Sequence, residues 1–201
     1  MPYSARAKAL RLARRPAGVS SREIARAGIH TQVLSRLVAS GVLDRVGRGL
    51  YRLPEQSVTE HHGIVLASAA IPTAVICLIS ALSYHRIGTQ VPHEIWIAVE
   101  RRARRPSVSY PPLRIIRPSG EGYSAGIQTI KIEGQRVRVY NVAKTLADCF
   151  KYRNKIGLDV AIEALREAWR ARRFTMEELD GYAAICRVQR VMRPYLEALV
   201  G

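Results

Sequence analysis

The sequence predicts an α+β fold in two parts, and three observations predict it. Residues 19–53, VSSREIARAGIHTQVLSRLVASGVLDRVGRGLYRL, read as a helix, a tight turn, a second helix and a two-stranded hairpin. From about residue 59 the pattern changes to alternating helices and strands. From Asn141 onward it is helical. The first part, residues 1–54, therefore has the layout of a winged helix-turn-helix. The second, residues 59–201, reads as a mixed α/β domain ending in a C-terminal helical bundle.

Each element has a local cause. Residues 3–14 have helical composition, with Ala9, Leu10, Leu12 and Ala13 available for burial, and Pro16-Ala17-Gly18 ends the helix. Ser20 and Glu23 stand at capping-box spacing, so hydroxyl and carboxylate each satisfy an amide of the other residue. Ile24 and Ala25 are expected to face inward from this short helix, and Gly28 supplies the freedom that the turn needs. The next helix starts near Thr31, a candidate cap, and runs to Ser40. Leu34, Leu37 and Val38 form its apolar stripe, Gln32, Ser35, Arg36 and Ala39 fall on the other face, and Gly41 closes it. Residues 42–46 and 50–53 alternate as strands around the tip Gly47-Arg48-Gly49.

Pro54 to Thr59 reads as a linker. Beyond it the pattern predicts helices at 58–70 and 80–86, and strands at 73–78, 94–100, 113–117, 127–133 and 135–140. Helices follow at 142–153, 158–172, 175–186 and 188–199. Residues 63–82 carry no charge and are as long as a bilayer-spanning helix. Pro72 interrupts them, Ser68, Thr73 and Ser80 dilute them, and 73–79 is rich in β-branched residues. The stretch thus reads as helix, buried strand, helix rather than a membrane span. The first residues lack the apolar core of a secretory signal, and Cys77, Cys149 and Cys186 lie far apart in apolar surroundings, as buried thiols do. A cytoplasmic location is expected.

Net charge is +16, from 32 basic and 16 acidic residues, and most of the bases are arginine. Arginine makes bidentate contacts with phosphate and guanine. Double-stranded DNA is the partner that this charge and layout suggest. Thr31, Gln32, Ser35 and Arg36 on the second helix are the candidate groove contacts, and Arg45, Arg48 and Arg52 on the wing the candidate backbone contacts. Arg101, Arg102, Arg104 and Arg105 form a separate run that reads as a solvated loop, an extended nucleic-acid surface or a contact for an acidic partner.

No constellation suggests catalysis, and no metal or cofactor is expected. His61 and His62 are adjacent and so point to different helix faces. Ser80, Ser83 and His85 lack a nucleophile elbow and a positioned acid. Gly120-Glu121-Gly122 is expected to lead into a strand, not a helix aimed at an anion. Glu94, Glu100, Glu133 and Asp148 are too scattered for a nuclease metal site, and Asp148 is expected to pair with Lys144 or Arg153.

With these residues laid out, the chain resembles the AbiEi-type antitoxins of bacterial type IV toxin–antitoxin systems over nearly its full length. The helix pair of residues 21–37 and the wing GVLDRVGRGLYRLP (41–54) carry the resemblance at the N-terminal end. ISALSYHRIGTQVPHEIWIAV (79–99) and VRVYNVAKTLADCF (137–150) carry it further on, with Lys144 where the family more often has arginine. The resemblance implies a repressor that binds inverted repeats at its own promoter and counteracts a nucleotidyltransferase-type toxin, generally without a stable complex. Tyr84, His85 and the run at 101–105 are the candidate antitoxicity surface. A plain winged-helix regulator and a DNA-targeted nuclease-like enzyme are the alternatives.

Overall fold

The computed structural model describes residues 4–15, 17–47, 49–54, 59–104, 106, 108 and 110–200. Ser4 opens helix α1 (Ala5–Ala13), its hydroxyl accepting from the Ala7 amide at 3.2 Å. A two-residue strand β1 (Val19–Ser20) leads into α2 (Ser21–Arg26). The predicted capping box is present. Ser20 Oγ accepts from the Glu23 amide at 3.1 Å, and Glu23 Oε2 accepts from the Ser20 amide at 2.8 Å. Ser20→Ala is expected to cost about 1 kcal/mol. A urea midpoint unchanged by that substitution would remove the box from the determinants of this helix.

Two local expectations are corrected. Ala25 is exposed, because a six-residue helix turns only Ile24 fully toward the core. Thr31 precedes α3 (Gln32–Ala39) but makes no side-chain cap bond. Its backbone is already helical, at φ −61° and ψ −22°, whereas a capping hydroxyl needs an extended backbone behind it. The Gln32 amide donates instead to His30 Nδ1 at 3.2 Å. Between the two helices Gly28 takes φ +71°, as the tight turn requires.

Strands β2 (Asp44–Gly47) and β3 (Leu50–Arg52) form the expected antiparallel hairpin. β1 pairs with the other edge of β3, Val19 opposite Tyr51, so the sheet order is β1-β3-β2. Two residues show no period, which hides β1 from sequence reading. Gly18 is obligatory before it. Its φ is +68°, and a Cβ there would strike the Tyr51 carbonyl. Val19, Ile24, Leu34, Leu37 and Leu43 pack with Ala9 and Ala13 into a small separate core.

The second part begins with α4 (His62–Ala70), β4 (Val75–Ile76), α5 (Leu78–His85), β5 (Ile95–Ala98) and β6 (Leu113–Ile116). A one-turn helix α6 (Glu121–Ser124) follows Gly120, where only a strand was expected. Then come β7 (Ile127–Ile132), β8 (Gln135–Tyr140), α7 (Val142–Lys151), α8 (Arg153–Ile156), α9 (Leu158–Arg170), α10 (Met176–Cys186) and α11 (Gln189–Val200). The five-stranded sheet has the order β6-β5-β4-β8-β7. It is mixed: β4 runs antiparallel to β5 and parallel to β8. Strand alternation divides its two faces. Val75, Trp96, Ala98, Ile116 and Tyr140 join the core shared with the C-terminal helices, while Ile76, Ile97, Val99, Val137 and Val139 pack with Ile64 and Ala67 of α4.

The uncharged stretch resolves as α4, β4 and α5, with residues 74–78 buried throughout. Among the described residues no helix is long and apolar enough to cross a membrane. The start of this part is tied to the β7–β8 turn. Glu133 Oε1 accepts from the Thr59 amide at 2.9 Å and the Thr59 hydroxyl at 2.8 Å, and Glu133 Oε2 lies 2.7 Å from His62 Nδ1.

Helix α7 runs through the middle of the larger core, with residues 143–150 all buried. Asn141 caps it, Oδ1 accepting from the Lys144 amide at 2.8 Å. Two of the buried residues are charged. Lys144 Nζ donates to Asp148 Oδ2 at 2.5 Å and sits 4.2 Å from the centre of the Tyr140 ring. The Cys186 thiol donates to Asp148 Oδ1 at 3.3 Å. Arg153, the other partner considered for Asp148, gives its guanidinium to the Phe150 carbonyl.

Candidate nucleic-acid interface

Helix α3 has one face in the core and one in solvent. Leu34 and Leu37 are buried, whereas Thr31, Gln32, Ser35, Arg36 and Ala39 are all exposed. The spacing causes this, because positions three and four apart share a face and the intervening ones turn away. No acidic side chain bridges Arg36 among the described residues. An uncompensated guanidinium and two hydrogen-bonding side chains therefore stand together on a helix narrow enough for a major groove.

The hairpin follows this helix in the chain and packs on the same small core through Tyr51. Arg45 is exposed on β2, opposite Tyr51. Arg52 is half-buried at the far end of β3, opposite Asp44, with its Nε buried and without a hydrogen-bond partner. Arg48 and Arg105 lie outside the described residues. The exposed arginines Arg22 and Arg26 on α2 were not singled out from the sequence, although their i, i+4 spacing places them on one helix face.

The residues proposed for the second part divide into two places. Tyr84 is half-buried, its ring 5.4 Å from that of His61 and 5.1 Å from that of His85. His85 Nε2 lies 2.7 Å from the Tyr140 carbonyl, which can only accept, so the ring nitrogen donates. Burial pushes the His85 pKa down, although the Tyr140 bond opposes this. The ring thus ties the end of α5 to the end of β8. Arg101, Arg102 and Arg104, by contrast, are exposed on a turn after β5. The turn's backbone is pinned: Arg117 donates to the carbonyls of Arg101 and Ala103, and Glu100 accepts from the Arg102 amide at 2.7 Å.

The polar groups elsewhere are engaged structurally. His62 turns to Glu133, while His61 turns to Glu60 and Tyr84. Among the described residues no three metal-ligating side chains cluster. Burial pushes the thiols of Cys77, Cys149 and Cys186 up, that of Cys186 to about 12. They are protonated near neutrality and poor nucleophiles.

Residues 8–54, from within α1 to just past β3, match the family model described as a transcriptional regulator, AbiEi antitoxin. This segment is consistent with the N-terminal domain of an AbiEi-type antitoxin. No curated protein matches the chain.

Proposed function

We propose that this chain is a DNA-binding antitoxin that represses its own operon and counteracts a nucleotidyltransferase-type toxin. On this reading residues 1–54 are a winged helix-turn-helix reading head, and residues 59–201 are the antitoxin domain. The observation that carries it is the exposed row Thr31, Gln32, Ser35 and Arg36 on and just ahead of α3, followed by the β2–β3 hairpin, within the segment that matches AbiEi antitoxin regulators.

The chemistry follows from the side chains. Gln32 can pair with an adenine edge, its amide N–H donating to N7 and its carbonyl accepting from N6, and Arg36 can donate twice to N7 and O6 of guanine. Thr31 and Ser35 are short hydroxyl donors suited to phosphates. Arg45, Arg48 and Arg52 on the wing contribute charge to the backbone or minor groove. One head making about four to six phosphate contacts loses roughly 10²- to 10³-fold in affinity between 50 and 200 mM salt. Specific repression at physiological salt therefore calls for two heads on paired half-sites, which inverted repeats in the promoter supply.

Mobility shift on the chain's own upstream DNA tests this reading. The full chain should retard a fragment carrying the inverted repeat well before a scrambled fragment of equal length. Arg36→Ala should weaken operator binding by about 1–3 kcal/mol while changing scrambled-fragment binding far less. Equal retardation of both fragments by the unaltered chain would overturn sequence-specific repression. Co-expression with a nucleotidyltransferase-type toxin tests the second role, since growth must recover if the chain is its antitoxin.

A further inference from the structure

A cleft of about 560 Å³ separates the two parts of the molecule, and its lining is chemically uneven. One wall is α2, which brings Arg22, Glu23 and Arg26 to it. The opposing side brings Leu66 and Ala70 from α4 and Tyr110 from the segment ahead of β6. A cavity of this size, at a junction between parts, with an apolar side and a few convergent polar groups, is the usual form of a small-molecule site.

The charge in the cleft is not balanced from within. Arg22 and Arg26 are exposed, stand one turn apart, and have no ion-pair partner among the described residues. Two cations at this spacing repel and weaken a short helix. The acid nearest in sequence, Glu23, is already committed. Its carboxylate accepts from the Ser20 amide and hydroxyl, each at 2.8 Å, and from Arg15 at 3.3 Å. The arginine pair is therefore left for an anion from outside the chain. The wall that carries it is well supported, because the Ser21 amide donates to the Gly49 carbonyl at 2.8 Å and so joins α2 to the hairpin.

Tyr110 supplies the second recognition element. It is 40% exposed, one of the few large hydrophobic side chains left open among the described residues. Its ring lies against the backbone of Gly47, where a Cβ would come within 2.9 Å of it. The ring is thus backed by the hairpin and open to the cleft, the arrangement that an aromatic ligand needs for stacking. An anion held by paired guanidiniums and a flat ring laid on a tyrosine together describe one ligand class.

We propose that this cleft binds a nucleoside monophosphate, its phosphate held by Arg22 and Arg26 and its base stacked on Tyr110. The site is distinct from the face of α3 and does not depend on what that face reads. Calorimetric titration of the full chain with AMP and GMP, and separately with adenosine and inorganic phosphate, tests it. At least one nucleotide should bind one-to-one and about tenfold or more tighter than either half alone. The double variant Arg22→Gln/Arg26→Gln should lose nucleotide binding, and Tyr110→Ala should reduce the nucleotide's affinity to that of inorganic phosphate. All three side chains are solvent-exposed, so each variant should melt as the unaltered chain does. Absence of nucleotide binding at millimolar concentration overturns the proposal. So does nucleotide binding that both variants leave unchanged. If the double variant lowers duplex affinity while no nucleotide binds, the arginines serve the DNA backbone and the site does not exist.

Discussion

Replacing Asp148 with alanine is expected to lower stability by about 3–5 kcal/mol. The substitution leaves the Lys144 ammonium, fully buried on α7, without its carboxylate, and leaves the Cys186 thiol without its acceptor. Lys144→Ala should cost a similar amount from the other side. Burial pushes the Asp148 carboxyl above its ordinary range, although Lys144 and the Cys186 thiol pull it back. Desolvation is the dominant influence on this carboxyl. It follows that Lys144→Met/Asp148→Leu should regain most of the loss, since two apolar chains of similar size need no partner. Denaturant midpoints of the three variants check this. If Asp148→Ala falls within 1 kcal/mol of the unaltered chain, the pair is not the buried constraint that its geometry describes.

Leu34→Ala is expected to cost about 2–5 kcal/mol within the N-terminal core and to abolish DNA binding. That core is small, so one Leu removed from its centre leaves a cavity that few neighbours can collapse to fill. Gln32, Ser35 and Arg36 would remain present in the variant. Binding would be lost because the helix presenting them no longer packs. A helix of eight residues is not stable alone and depends on its buried face. The prediction separates folding from contact. Leu34→Ala should lose operator and non-specific binding together, whereas Arg36→Ala should lose chiefly the former. Full operator affinity in a folded Leu34→Ala protein would contradict this dependence.

Much of the N-terminal part is legible in the sequence. The capping box at Ser20 and Glu23, the glycine turn at Gly28, the stripe Leu34–Leu37 with its polar opposite face, and the β2–β3 hairpin all appear at the predicted places. These features are local, set by spacing of three or four residues or by alternation of two. Thr31 shows where such reasoning stops. Its residue type suits a cap, but its helical backbone passes the role to His30. β1 shows the same limit, because two residues become a strand only when β3 offers an edge.

The second part was legible as elements and illegible as a site. Strand and helix order followed from the pattern, but the parallel pairing of β4 with β8 joins residues more than sixty positions apart. His85 shows the consequence. The sequence reads it as a packed or capping histidine or as part of the antitoxicity surface, and only the fold supplies its partner, the Tyr140 carbonyl. The uneven cleft could not be read at all, since Arg22, Tyr110 and Leu66 share nothing in sequence and meet only through packing.

The sequence by itself determined the basic character, the amphipathic pattern of α3 and the absence of an uninterrupted apolar span, because each rests on composition or short-range period. Tertiary structure alone decided that Lys144 and Asp148 are buried together, that β1 completes the small sheet, and that Arg22, Arg26 and Tyr110 face one cleft. The physical reason is common to all three. Burial and opposition between distant residues depend on how layers stack, and no local propensity encodes which residues that stacking brings together.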